Sequence, residues 1–269
     1  MSKFVLTFPK RRTIIQPVAD LVDLGILPKQ VSEYTDADIG SIISIPYNDE
    51  SGNIAGPIKF EVVGVNHHKD INDESKPTIT LMSKNIIRYA AFDAKEPNNP
   101  DNNMATYGNS RWSVSNIRQW LNSNGIANKW FTPQHKYDVA PDTINVNSNN
   151  NGAYIDDSGF LAGFSNEVKQ HFATVRNKTI LCDYDKTLLS KDFEETEDKV
   201  FLPSYTEMGF GNIDSNNPEG VSLVQKVTNS SRKKTGANGW YWMRSPYSNV
   251  TCHVYLVYVD GRGQSYRCV

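Results

Sequence analysis

An α+β fold follows from three observations on this 269-residue chain. Short runs of β-branched and aromatic residues recur along it between turn residues, and only two segments carry helical spacing. Hydrophobic residues make up just 38% of the chain, the remainder being rich in Asn, Ser, Asp and Gly. Such a composition suits a loop-rich domain rather than a helical bundle. The length allows one large domain, or a domain with an appendage, and a sizeable buried core.

Residues 1–36 differ from the rest. A strand-like start, Phe4 to Phe8, is followed by Pro9, a basic cluster Lys10-Arg11-Arg12, and the stretch Ile14 to Ile26, whose apolar positions are too irregular for a helix. This segment reads as an N-terminal arm, either docking on a partner or packing across its own domain. Residues 37–269 read as one compact domain. Ile39 to Ile45, Ile58 to Val65 and Thr78 to Met82 predict three strands. Ser113 to Asn122 predicts the best helix: Ser113 or Ser115 offers a capping oxygen, Ile117, Trp120 and Leu121 share a face, and Gly125 closes it. Gly163 to Phe172 predicts a second, with Phe164, Val168 and Phe172 four residues apart. Thr179 to Cys182 and Lys199 to Pro203 read as strands, and the charged Lys186 to Asp198 between them as an exposed turn or short helix. Cys252 to Tyr258, turning through Asp260-Gly261-Arg262-Gly263 to Val269, is the clearest hairpin.

Just before it stands Gly239-Trp240-Tyr241-Trp242-Met243-Arg244-Ser245-Pro246-Tyr247. Its large rings would each leave over about a hundred square ångströms of apolar surface in water, so something must cover them. Block and hairpin together read as a packed hub that presents a loop, with Trp242 and Arg244 inward.

Several function classes are disfavoured. A net charge of −2 argues against a nucleic-acid partner, and Lys10-Arg11-Arg12 and Arg232-Lys233-Lys234 read as solvated surface. No apolar run has transmembrane length and no secretory leader follows Met1, so synthesis in a cytoplasm without membrane insertion is expected. Cys182, Cys252 and Cys268 are too scattered for a disulfide framework or a zinc site. Cys252 and Cys268 lie nearly opposite across the hairpin, but a one-residue shift would separate them; packed thiols are expected, a disulfide being the alternative.

No chemical constellation emerges either. His67 and His68 are adjacent, and neighbours on a strand point opposite ways, so a loop is expected there and no metal. His135, His171 and His253 are isolated. The Asn147 to Gly152 loop has amides where a calcium loop has carboxylates, and Ser158 at its twelfth position, so it reads as an Asn-rich turn. Asp156-Asp157 and Glu194-Glu195 sit in polar, turn-like surroundings, which makes an acid pair for glycoside hydrolysis improbable. Gly209-Phe210-Gly211 lacks the lysine of a phosphate loop and reads as surface. No enzyme activity, cofactor or metal is expected.

Four blocks in order carry a family resemblance. Tyr107 to Asn122 resembles a Y-G…W-x-x-S-x-I-R-x-W-L-N segment, Gly159 to Glu167 an F-L-x-x-F-S-x-E helix start, Val200 to Gly209 a V-F-L-L-S-x-x-E-x-G strand, and Tyr241 to Pro246 a Y-W-L-R-S-P block. Over Ala37 to Val269 the chain is similar to a bacterial and phage domain family of unknown function, common in clostridial prophage tail regions and surface proteins. That resemblance implies a fold similar to C-type-lectin and formylglycine-generating-enzyme domains. The family usually runs on past the hairpin into a G-V-x-P-A strand; here the sequence stops at Cys268-Val269, and the expected alternatives are a strand that is missing, supplied by a partner or lost to truncation. The cysteine pair and metal ligands of the formylglycine-generating relatives also have no counterparts. Trp112, Ile117, Trp120 and Leu121 are expected as core anchors, and Arg118 and Arg244 as structural arginines satisfying loop carbonyls.

The resemblance implies a non-enzymatic virion or phage-tail-like particle component, tail- or baseplate-associated, assembled in multiple copies in the bacterial cytoplasm with other particle proteins. Its lectin-like domain would display loops to a host-surface glycan or protein. Tyr247, Asn249, His253, Tyr255, Arg262 and Tyr266 are the candidate contact residues, of which alternation lets only part face outward. The alternative is a purely structural virion protein, decorating a capsid or bracing a baseplate.

Overall fold

The computed structural model describes residues 5–9, 20–146, 152–223 and 239–269. In chain order its regular elements are β1 (Val5–Pro9), β2 (Ile42–Ile45), β3 (Ile58–Val65), β4 (Thr78–Ser83), α1 (Asn102–Tyr107), α2 (Asn116–Leu121), α3 (Asn166–Lys169), β5 (Val175–Ile180), α4 (Asp183–Leu189), β6 (Phe193–Asp198), β7 (Val200–Phe201), β8 (Tyr241–Pro246), β9 (His253–Val257) and β10 (Gly263–Arg267). The expected α+β class holds: the strands form antiparallel sheets of five, three and two strands, and the helices are short. The basic clusters at residues 10–12 and 232–234 and the Asn-rich loop from Asn147 lie outside the described residues.

The five-stranded sheet runs β2-β3-β4-β1-β7. Alternation builds β3, whose Ile58, Phe60 and Val62 are buried, whereas all six residues of β4 are buried because the sheet is covered on both sides. Ile79 and Leu81 of β4 join the main core, and Met82 a second, smaller cluster on the other side. β1 pairs with β4 from Val5↔Met82 to Pro9↔Thr78 and with β7 at Val5↔Phe201. The strand from the expected arm over residues 1–36 thus sits inside the sheet of the domain it precedes. Of the two placements open from the sequence, it takes the one across its own domain.

The helices are shorter than their spacing predicts. The segment from Trp112 is a 3-10 turn over Trp112–Val114 followed by α2, and Ser115, with ψ at 145°, ends the first and caps the second through its hydroxyl, 3.4 Å from Arg118 N. Trp112, Ile117, Trp120 and Leu121 are fully buried all the same. Over Gly163 to Phe172 only α3 is helical, and Phe164 and Phe172 reach the core from its flanks, their rings 5.1 Å apart.

Lys186 to Asp198 is not an exposed turn. It completes α4, which ends at Ser190 in a left-handed conformation, and then becomes β6, paired along its length with β5. Its buried face is polar: Glu194, Thr196 and Asp198. Arg111 grips Glu194 with Nε and a terminal nitrogen at 2.8 to 3.2 Å, while Asp198 accepts from Arg118, Trp112 and Asn177. A face of carboxylates folds inward only because charge-assisted bonds meet it there.

The three-stranded sheet runs β10-β9-β8. Every residue of β8 is buried, Trp242 facing the main core and Tyr241 and Met243 the second cluster. Trp242 donates its indole N–H to Ala90 O at 3.0 Å. In the hairpin Cys268 lies opposite Cys252, and its amide and thiol both point to the Cys252 carbonyl at 3.0 Å; all three cysteines are free thiols.

Candidate functional site

β9 separates its side chains cleanly. Val254 and Leu256 enter the main core, while His253 and Tyr255 stay half-buried on the other face. Tyr247, just past β8, is held beside them by its amide, which donates to His253 O at 2.8 Å. Its ring lies 5.5 Å from Tyr255 and 6.3 Å from His253. The structure therefore brings Tyr247, His253 and Tyr255 together.

Two aromatics that sequence reasoning missed extend the row. Tyr205, anchored through its amide to Ser245 Oγ, stands 4.4 Å from Tyr255 between ring centroids, and Phe210 lies 5.0 Å beyond Tyr205. Gly263 leaves room for them, since a Cβ there would come within 3.0 Å of Tyr205 and 3.4 Å of Phe210. At the other end Arg267, opposite His253 in register, lays its guanidinium 4.0 Å from the centroid of Tyr107. Gly209-Phe210-Gly211 is the surface loop its composition predicts, and Phe210 joins the row from it. Burial, with Tyr205 and Tyr247 alongside, raises the Tyr255 phenol to about 12, and burial and Arg267 push the His253 imidazole down. The row is flanked by the Arg267 guanidinium. No hydrogen bond reaches the Tyr247 or Tyr255 hydroxyl among the described residues.

The other three candidates lie elsewhere. Asn249 is exposed at the loop tip, its Oδ1 accepting from Ser248. Arg262 is folded onto Asp260 at the hairpin turn, Nε to Oδ2 at 2.6 Å. Tyr266 pairs with the core-facing Val254, so it stands on the opposite face of the sheet, near Trp240.

Behind the row is a buried ionic knot. Arg244, 1% exposed, spans Glu207 with both terminal nitrogens at 2.7 and 2.9 Å and donates to the carbonyls of Leu202 and Glu219. Burial alone would raise the Glu207 carboxyl, but Arg244 and His68 hold it well below the usual range. Glu219 lacks such a grip, and burial lifts it to about 7 against the pull of Arg244 and Ser245. Arg118 plays the expected role too, bonding Asp198 Oδ1 at 2.7 Å and Ser113 O at 2.9 Å.

His67 and His68 do not diverge: past the end of β3 their rings meet at 4.6 Å, beside Glu207. The paired carboxylates split, Asp157 and Glu194 being buried against Arg88 and Arg111 while Asp156 and Glu195 are exposed. Asp156-Asp157 lies in a turn as expected, with Asp157 ion-paired there, whereas Glu194-Glu195 lies in β6 rather than in a turn. A groove of about 320 Å³ beside α2 is lined by Arg118, Gln119, Asn122 and Gln134, but Gln119 is locked to the Thr132 backbone and Asn122 to Val200. The aromatic row is the better candidate surface.

Fold and site define an α+β domain of small antiparallel sheets that presents a half-buried aromatic face. The chain belongs to the family described as Domain of unknown function (DUF6273), whose model matches residues 77–269. The match starts at β4 rather than at Ala37 and includes the whole aromatic row. No curated protein and no solved structure matches the chain. No helix among the described residues is long and apolar enough to cross a membrane.

Proposed function

We propose that this chain is a non-enzymatic component of a virion or phage-tail-like particle, associated with tail or baseplate, whose C-type-lectin-like domain recognises a host-surface glycan or protein. The contact surface is the row Tyr247, His253 and Tyr255, continued by Tyr205. One observation carries the reading: four half-buried rings stand in contact, and no hydrogen bond reaches the Tyr247 or Tyr255 hydroxyl among the described residues. Aromatic residues with an apolar body and a polar edge are what recognition surfaces use, because they offer large contact area at low entropic cost. The absence of catalysis is part of this proposal. Its support is that Asp157, Glu194, Asp198 and Glu207 are each engaged by an arginine. Assembly in multiple copies in a bacterial cytoplasm belongs to the same reading.

The test uses the whole chain. Fluorescently labelled protein should bind host cells or purified cell-wall carbohydrate saturably, and Tyr247→Ala should weaken binding about tenfold or more, a loss of ~1.4 kcal/mol or greater. A folded protein that binds neither would overturn the reading and leave the structural role. Deleting residues 1–36 does not discriminate between the roles, because it removes a strand from between β4 and β7.

A further inference from the structure

β3 carries a bulge between Val62 and Gly64, and the chain then turns at Asn66, which has φ of 55° and whose Oδ1 accepts from Thr78 N at 3.1 Å. The turn carries His67 and His68 off the strand, so strand alternation no longer sends them to opposite faces. Gly64 permits the fold-back, since a Cβ there would stand 2.9 Å from His67 Cβ. His68 places Nδ1 at 3.0 Å from Thr80 Oγ1 and Nε2 at 3.2 Å from Glu207 Oε1.

We propose that His67, His68 and Glu207 form a site for a divalent late first-row metal ion, Zn²⁺ foremost, with solvent completing a four-coordinate sphere. Donor atoms from the three residues all lie within 4.8 Å of one another, so a small inward movement of the half-buried His67 closes the set. Two imidazoles and one carboxylate make up the donor set of open zinc sites, whereas Ca²⁺ and Mg²⁺ demand oxygen. The surroundings supply the outer shell such a site needs. Thr80 engages Nδ1 of His68, leaving Nε2 directed at Glu207.

The carboxylate has one seat to give. A carboxylate offers about four lone-pair positions. On Oε2 they are taken by Arg244 and Ser204 N at 2.7 and 2.8 Å, and on Oε1 one is taken by Arg244 at 2.9 Å. The fourth faces His68 Nε2, and a metal entering there replaces a His–Glu contact while leaving the Arg–Glu pair intact. Gly220 keeps the approach to Oε1 narrow but free, a Cβ there falling 3.1 Å from it. The rival account, an ionic knot needing no metal, explains His68 but not His67, whose ring makes no hydrogen bond among the described residues.

The full chain, stripped with EDTA and dialysed, should be titrated calorimetrically with ZnCl₂, with CaCl₂ and MgCl₂ as controls, and with CoCl₂ followed by visible absorption. The expected result is one equivalent of Zn²⁺, tetrahedral Co²⁺ bands, and no saturable heat from the controls. His67→Ala should weaken Zn²⁺ at least about tenfold, since even an outer-shell partner is worth that much. His67→Gln, closer in size, should do the same with its circular dichroism unchanged. Absence of saturable Zn²⁺ binding, or binding that both variants leave intact, overturns the proposal.

Discussion

β8 and β9 are neighbours in one sheet and use their large polar and aromatic side chains to opposite ends. In β8 the Trp242 indole bonds Ala90 O and Arg244 reaches five oxygens, so every large side chain is spent on the fold. In β9 His253 and Tyr255, with Tyr247 beside them, are half-buried, and no hydrogen bond reaches the tyrosine hydroxyls among the described residues. Residue type therefore does not separate the framework from the proposed contact surface; how far the polar atoms are engaged by the fold does. Burying a charge is costly unless it is paired, so an Arg244 held through both terminal nitrogens is structural, whereas a ring whose hydroxyl takes no hydrogen bond from the fold can contact a partner.

That contrast can be broken most violently in β8. Arg244→Met leaves Glu207 buried without its counter-charge, and a loss of about 3–5 kcal/mol is expected in urea unfolding. An equal loss from Tyr255→Ala would erase the distinction between the strands. On α2, Trp120→Ala should cost about 3–5 kcal/mol, because its fully buried ring packs 5.6 Å from Tyr154 and 5.5 Å from Phe160.

The ionic knot gives a pH signature. The Glu219 pKa is raised on folding, from 4.5 to about 7, so the native state holds the proton longer. Its contribution is complete below pH 4.5 and is lost as pH rises toward 7, on the order of 3 kcal/mol. Burial raises Asp93 and Asp138 as well, and their contributions fall in the same direction. Glu207 is depressed and acts oppositely: its stabilisation is present above pH 4.5 and lost as pH falls below it. Chemical denaturation across pH 4.5 to 7.5 should show stability declining, and Glu219→Gln should flatten part of that decline. A rising curve would contradict the assignment. The smallest stability effect is expected in the half-buried row, where Tyr247→Ala should shift unfolding by about 1 kcal/mol or less.

How far the sequence revealed this can be traced to particular residues. β3 was legible at both ends because Ile58, Phe60 and Val62 alternate in the pattern a half-buried strand requires. β6 was not, because its inward residues are Glu194, Thr196 and Asp198, and their partners Arg111, Arg118 and Trp112 are some 80 positions away in the chain. Tyr247, His253 and Tyr255 stood among six candidates with Asn249, Arg262 and Tyr266, and alternation alone does not say which of the six share a face. Tyr205 and Phe210 join them only through the tertiary fold, and no local period announces such a meeting. The convergence of His67 and His68 depends on a bulge and a positive φ at Asn66, neither of which adjacency in sequence reveals.

The central claim is that one face of the hairpin recognises a partner and the other does not. Tyr255 and Tyr266 test it side by side, standing on opposite faces of the same sheet. Saturation binding to host cells should fall about tenfold or more for Tyr255→Ala and stay at the wild-type level for Tyr266→Ala, with both variants folded. Equal loss for the two, or loss for Tyr266→Ala alone, would contradict the account.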